Sequence, residues 1–192
     1  MICYSGGADG ADSYFDLIAK KHGIETIHYW HGRKTPLGNH EITKEQLEEG
    51  WAKCLEANDK LLHRNGAEKY KNLLARNWFQ VKPSESIFAV SRLTGTKNGM
   101  VLGGTAWAVA MAVLEPYKKT FVFDMVVNKW FQVTASVEPE RSSPYQFDFE
   151  ELKLVPELPQ HFAGIGSRDL TPQGKAAIEF LFLGLDKPAE DD

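Results

Sequence analysis

The sequence predicts one α/β domain built on a doubly wound, mainly parallel sheet with helices on both faces. Short apolar stretches of strand character alternate with segments whose apolar residues recur at helical spacing, which is typical of a parallel sheet. Glycine-bearing turns lie between predicted strands and the helices that follow them. The chain has 192 residues, 43% of them hydrophobic, which is enough for one well-packed domain and too few for two of ordinary size.

The individual elements follow from periodicity and from residues that start or stop a helix. Gly23 ends the first helix, Thr43 is the expected N-cap of the next long helix, and Thr171 with Pro172 starts the last one. In chain order we predict a strand at 2–4, a helix at 11–22, a strand at 24–30, helices at 44–62 and 67–76, a strand at 86–91, a helix at 105–114, strands at 120–127, 130–135, 147–155 and 161–163, and a helix from 172 to about 185.

Three segments are predicted to be irregular. The polar stretch 31–43 contains two glycines and a proline, which indicates a long loop, and we expect this loop to close over the site. The segment 128–160 is expected to be an insertion or connection that carries edge strands, with 136–145 as a surface link. The acidic residues 186–192 are expected to form a frayed tail.

The composition argues against several classes of function. The formal net charge is −4 and no run is rich in Lys or Arg, so the clustered positive charge that nucleic acids require is missing. The longest apolar stretch, 106–114, is too short to span a membrane, and no targeting segment is recognised. Cys3 and Cys54 lack the spacing of a zinc site or a disulfide framework. We therefore expect a cytoplasmic protein without metal or membrane partner.

Three glycine-bearing turns carry the predicted chemistry, because backbone N–H groups at such turns can hold a phosphate. Ser5, Thr105 and Ser167 can add hydroxyl groups, and Arg168 can neutralise phosphate charge. The first and third turns stand at opposite ends of the chain, so they can cooperate only if those ends meet. The turns are Ser5-Gly6-Gly7-Ala8-Asp9-Gly10-Ala11-Asp12, Gly103-Gly104-Thr105 and Gly164-Ile165-Gly166-Ser167-Arg168.

Several polar and aromatic residues have two interpretations each. Asp12 and Asp9 either cap a helix or contact the ribose or base of a ligand. One of His28, Trp30 and His31 could stack on a base, or all three could be ordinary strand and loop residues. Trp107 is expected in the core, and neither cysteine has the setting of a nucleophile.

The motifs resemble those of SLOG-superfamily Rossmann-like domains, which include the DNA-processing protein A group and the LOG phosphoribohydrolases. In those domains the Gly-Ser-Arg motif precedes the Ser-Gly-Gly motif, whereas here that first strand and helix stand at the C-terminus. The chain therefore resembles a circularly permuted member, similar to the circularly permuted YpsA-like group, over about 1–124 and 162–185. Four motifs carry the resemblance: Gly164-Ile165-Gly166-Ser167-Arg168 with Thr171-Pro172, Ser5-Gly6-Gly7-Ala8-Asp9-Gly10-Ala11-Asp12, Ala75-Arg76-Asn77, and Gly103-Gly104-Thr105.

The resemblance implies a homo-oligomer that binds or senses a nucleotide or nucleotide-derived ligand, such as ADP-ribose, an NAD-like compound or a nucleoside phosphate. LOG members that cleave their ligand carry a glutamate in the helix after the third turn. In this chain the first carboxylate after Gly104 is that of Glu115. We therefore expect binding without cleavage. The alternatives are an N-glycosidase, with Asp12 or Asp9 as catalytic residue, and a single-stranded DNA-binding protein. The expected ligand-binding residues are Ser5, Gly6, Gly7, Asp9, Asp12, Arg76, Asn77, Gly103, Gly104, Thr105, Gly164, Gly166, Ser167 and Arg168.

Overall fold

The chain folds around an eight-stranded sheet, as seen in a computed structural model that describes residues 1–96, 99–136 and 147–186. The strands are β1 (Ile2–Ser5), β2 (Glu25–Trp30), β3 (His40–Glu41), β4 (Ser86–Ser91), β5 (Lys119–Asp124), β6 (Lys129–Ala135), β7 (Phe147–Glu151) and β8 (His161–Gly166). The α-helices are α1 (Ala11–Lys21), α2 (Lys44–Ala57), α3 (Lys71–Ala75), α4 (Asn77–Val81), α5 (Thr105–Val113) and α6 (Pro172–Leu183). A π-helical turn (Asn58–Leu62) and two 3-10 turns (Ala67–Tyr70, Gly184–Asp186) complete the helical structure of this part of the chain.

The strand order confirms the predicted fold class. The order is β3-β2-β1-β8-β4-β5-β6-β7. Neighbouring strands from β3 to β5 in this order pair in parallel, whereas β6 is antiparallel to both β5 and β7. If β8 is counted first and the two-residue β3 is left out, the strands from β2 to β6 follow the 3-2-1-4-5-6 order of a doubly wound sheet, with the sixth strand antiparallel. The sheet is therefore Rossmann-like, and the circular permutation stays a prediction.

Helices cover both faces of the sheet, as predicted. On one face α1 and α6 enclose a core that contains the fully buried rings of Phe15, Phe88 and Phe162. On the other face the core includes more residues and contains side chains of α2, α4 and α5, among them Trp78 and Val109. All six residues of β4 are buried, because this central strand is covered on both sides.

Helix starts follow the local sequence as predicted. The hydroxyl of Thr43 accepts a hydrogen bond from Gln46 N (3.2 Å), and the Gln46 side chain accepts one from Thr43 N (2.8 Å), which forms a capping box. The hydroxyl of Thr171 accepts from Gly174 N (3.1 Å), with Pro172 in the first helical position. Gly23, at a φ of +67°, follows the end of α1.

Some predicted boundaries were wrong. The helix expected at 67–76 is a 3-10 turn followed by the short α3, and a further helix, α4, follows Arg76 directly. The strand expected at 120–127 ends at Asp124, whose carboxylate accepts hydrogen bonds from Leu93 N and Val126 N and so stabilises the turn into β6. The strand expected at 147–155 ends at Glu151, and the loop 31–43 contains the two-residue β3. Residues 137–146 and 187–192, which include most of the surface link and the tail, lie outside the described residues.

The two ends of the chain meet, as predicted from their glycine motifs. β1 and β8 are adjacent parallel strands, and Ala11 N donates a hydrogen bond to Ser167 O (3.0 Å). Gly10 adopts a φ of +96°, and a Cβ atom at this residue would lie 2.3 Å from Arg168 O and 2.4 Å from Ser167 O. Only glycine therefore allows the first and last turns to approach this closely.

We expect Gly10→Ala to lower the free energy of unfolding by at least about 2 kcal/mol, because it adds a backbone clash to an unfavourable φ. Urea denaturation followed by circular dichroism measures the change. Gly23→Ala is the matched control, because Gly23 also has a positive φ but nothing within 4 Å of its Cβ position, and we expect a loss of about 1 kcal/mol. Equal losses in the two variants would contradict the close contact at Gly10.

Candidate functional site

A cavity of about 480 Å³, here called the main cavity, lies where the chain leaves the carboxyl ends of β1, β4 and β8. In a doubly wound sheet this edge is the usual place of ligands. All three glycine-bearing turns contribute to its lining, although the first and third are at opposite ends of the sequence. The predicted site residues that border it are Asp9, Asp12, Arg76, Asn77, Gly103, Gly104, Thr105, Gly166, Ser167 and Arg168.

Four predicted site residues, Ser5, Gly6, Gly7 and Gly164, do not border the main cavity. Ser5 is fully buried, and the carbonyl of Gly6 accepts a hydrogen bond from Arg76 Nη1 (3.0 Å). A Cβ atom on Gly7 would lie 3.0 Å from His28 Cβ, and one on Gly164 would lie 2.5 Å from the Phe15 ring. The structure therefore gives these glycines a packing role.

The helices that start at the main cavity lack side-chain caps. Both α1 and α5 have a glycine as N-cap, Gly10 and Gly104, and no side chain caps the first N–H groups of either helix. By contrast, Thr43 and Thr171 cap α2 and α6. The first N–H groups of a helix have no intrahelical partners, so water, side chains or a ligand must satisfy them. At α1, one of these groups already binds Ser167 O, which leaves the start of α5 as the less occupied of the two.

Arg76 places a buried positive charge beside the main cavity. Arg76 joins α3 to α4 in the chain and is 5% exposed. Its Nη1 donates hydrogen bonds to the carbonyls of Gly6 (3.0 Å) and Tyr29 (3.2 Å). Its Nε is buried and has no hydrogen-bond partner among the described residues. Burial lowers the pKa of Arg76 and the nearby Asp12 raises it, but a guanidinium keeps its charge in proteins.

Asp12 joins the first and last turns rather than capping its own helix. Oδ1 accepts a hydrogen bond from Gly166 N (3.1 Å), and Oδ2 accepts one from Ala8 N (3.4 Å). Burial raises the pKa of Asp12, and Arg76 and the two backbone hydrogen bonds act in the opposite direction. Because both oxygens of Asp12 are engaged, the exposed carboxylates of Asp9 and Asp169 at the cavity have more freedom to meet a ligand.

The sequence analysis missed several lining residues. Ser91 is the last residue of β4 and Arg92 follows it directly. Gln80 is 2% exposed and donates a hydrogen bond to Asn77 Oδ1 (3.3 Å). The position of Arg92 could have been found from sequence, because the residue after any parallel strand of such a sheet is a candidate. Gln80 offered no such signal, since it lies in α4, a helix that was not predicted from the sequence.

The loop 31–43 supports the first turn and does not border the main cavity. The hydroxyl of Thr35 donates to Gly6 O (2.9 Å), and Leu37 N donates to Gly7 O (3.4 Å). His28 and His31 are engaged elsewhere, with His28 Nε2 2.9 Å from Asp16 Oδ1 and His31 Nδ1 2.8 Å from Ile42 O. The expected closure of this loop over the site is therefore not seen.

Other chemical groups are remote from the main cavity. One turn into α5, Ala108 borders the cavity. Glu115, which follows the end of α5, forms an ion pair with Lys53 (3.0 Å). Cys3 and Cys54 are buried, and burial raises the pKa of Cys3 and that of Cys54, the latter to about 12. Within the described ranges there is no group of three or more potential metal-ligating side chains, and no helix has the length and apolar character needed to cross a bilayer.

Comparisons with known proteins give no relative of this chain. No family model, no curated protein and no solved structure matches it significantly. Membership of the SLOG superfamily and the homo-oligomeric state therefore stay predictions.

A buried cluster beneath the first turn predicts a pH dependence of stability. Burial alone would raise the pKa of Asp16, but hydrogen bonds from Lys20, Thr26 and His28 outweigh it and lower this pKa below its ordinary value. The ionised Asp16 carboxylate therefore stabilises the folded state fully above the pKa that Asp16 has in the unfolded chain, about 4. This stabilisation is lost as the pH falls through the lowered pKa of the folded state.

We expect Asp16→Asn to lower the free energy of unfolding by about 1–3 kcal/mol near neutral pH. The difference from the wild type should shrink as the pH is lowered from about 5 to about 2.5. Urea denaturation across this range measures it, with Asp59→Asn at an exposed carboxylate as control. A difference that does not change with pH would contradict the assigned role of Asp16.

Proposed function

We propose that this protein binds a nucleotide or nucleotide-derived ligand in the main cavity and holds its phosphate there. The observation that carries the proposal is the convergence of the uncapped start of α5, the glycine N-cap region of α1 and the buried guanidinium group of Arg76 on one cavity. Partial positive charge at helix N-termini and a fixed guanidinium together favour an anion. A volume of about 480 Å³ lies within the range of small-ligand sites.

The phosphate is best placed at the start of α5. Gly103 and Gly104 leave open space at their Cβ positions, so a phosphate can approach their backbone closely. Thr105 adds a hydroxyl, and Arg168 borders the same cavity from the last turn. Among the acids, exposed Asp9 and Asp169 are the candidates for a ribose hydroxyl, because both oxygens of Asp12 already accept backbone hydrogen bonds.

Binding without cleavage is the leading form of the proposal, as in a sensor or a sequestering protein. Where α5 borders the cavity, it presents the methyl group of Ala108 and no carboxylate. The strand order counted from β8 supports the further proposal that the chain is a circularly permuted SLOG-superfamily domain.

An N-glycosidase is the second candidate, and one observation favours it. Burial raises the pKa of Asp12 beside the main cavity, and a carboxyl group that keeps its proton can act as a general acid. Release of free base from a nucleotide by the wild type, and its loss in Asp12→Asn, would establish this alternative over simple binding.

We expect nucleoside monophosphates, ADP-ribose or NAD to raise the melting temperature, and Arg168→Ala to weaken the binding about 10-fold or more through loss of a charge-assisted hydrogen bond. Thermal shift and calorimetry measure both effects. Arg168 is exposed, so the fold should tolerate its removal. Arg33→Ala is the control, because Arg33 is exposed and does not border the cavity. A panel without any stabilising compound would overturn the proposal.

We expect Gly104→Leu to abolish phosphate-ligand binding with little loss of stability, because its side chain would enter the cavity. Gly104 has a φ of −69°, which suits any residue, and nothing lies within 4 Å of its Cβ position. Gly184→Leu is a matched control, with a φ of −63° and the same open surroundings outside the cavity. Unchanged binding in Gly104→Leu would exclude the start of α5 as the phosphate site.

A further inference from the structure

A second cavity of about 330 Å³ adjoins the main cavity. The two share Leu73, Gly103 and Gly104 in their linings. The turn that we assign to phosphate therefore borders both spaces, and a ligand held there can extend into either.

The two cavities differ in chemistry. Three arginines and three aspartates border the main cavity, and among the described residues no aromatic side chain does. The second cavity is bordered by the rings of Tyr70 and Trp107 and by the apolar side chains of Leu73 and Leu74, and no carboxylate of the described residues reaches it. Charged groups suit a phosphate and a ribose, whereas a flat aromatic ring system is better received by the second cavity.

We infer that the second cavity receives the nucleobase of the ligand whose phosphate the main cavity holds. This inference rests on the proposed function. Trp107 is 4% exposed and forms a fixed wall, whereas Tyr70 is 60% exposed and stands at the rim, where a base can pack against its ring. Stacking of a base on an aromatic side chain changes affinity by about 5- to 150-fold.

The turn between the cavities is open and held in place. A Cβ atom on Gly103 or Gly104 would meet nothing within 4 Å, so no side chain obstructs the passage at these two residues. Arg64 Nη1 donates to Gly103 O (3.0 Å), and Arg64 Nη2 donates to Val101 O (3.2 Å). Arg64 also borders the second cavity, so one side chain connects the base site with the phosphate turn.

The test compares AMP, GMP, CMP and UMP with ribose 5-phosphate, which has the same phosphate and sugar but no base. By calorimetry, at least one nucleotide should bind the wild type about 5-fold or more tightly than ribose 5-phosphate does. Tyr70→Ala should remove this advantage and leave the affinity for ribose 5-phosphate unchanged. Tyr117→Ala, at a side chain that is 96% exposed and borders neither cavity, should change neither affinity.

Tryptophan fluorescence gives an independent readout. A base in the second cavity should change the emission of Trp107, whereas ribose 5-phosphate should not. In Trp107→Phe, nucleotide that calorimetry shows to be bound should no longer change the tryptophan emission. A response that persists in Trp107→Phe would mean that the base lies near another tryptophan, which overturns the inference.

The outcomes separate the two proposals. Equal affinities for ribose 5-phosphate and every nucleotide, or an equal loss of both kinds of ligand in Tyr70→Ala, would overturn the base site and leave phosphate binding intact. If neither the nucleotides nor ribose 5-phosphate bind, the proposed function fails and the base site fails with it.

Discussion

The contact between the first and last glycine-bearing turns is the constraint on which the site depends. β1 and β8 pair as neighbours, and at their carboxyl ends Gly10 approaches the carbonyls of Ser167 and Arg168 too closely for any Cβ atom. The hydrogen bond from Ala11 N to Ser167 O and the bond from Gly166 N to Asp12 fix the start of α1 against the end of β8. Without this contact, two walls of the main cavity would separate.

Glycine has two distinct physical roles around this contact. Gly164 lies against the ring of Phe15, and a Cβ atom on Gly166 would be 2.2 Å from Val90 O, so both allow close packing of strands and α1. Gly103 and Gly104 have open space at the same position, which suits close approach of a ligand to the backbone. The motifs look alike in sequence, yet only the second kind leaves room for a phosphate.

Two features beside the main cavity leave hydrogen-bond donors without a partner among the described residues. The caps of α2 and α6 are complete, whereas α1 and α5 start on glycine, and Arg76 Nε is buried without a partner in the described structure. A buried donor without an acceptor costs about 1–3 kcal/mol, and such costs concentrate at functional sites. Under the proposed function, a phosphate at the start of α5 would accept hydrogen bonds from the first N–H groups of that helix.

Much of the structure was predictable from the amino-acid sequence alone: the fold class, most helices and strands, the caps at Thr43 and Thr171, and the three turns around the cavity. These features depend on periodicity and on interactions within a few residues, so they can be predicted without a structure. The separation of α3 from α4 at Arg76 could not be predicted in this way, because the Arg76 guanidinium is held by carbonyls from two distant segments.

The folded chain shows which glycines are required for close packing and which leave room for a ligand, and it shows that Asp12 joins the two turns. It alone placed Tyr70 and Trp107 in a common cavity beside the phosphate turn. The physical reason is sequence separation: Gly166 and Asp12 are 154 positions apart, and a contact of this kind exists only after the sheet has brought the chain ends together.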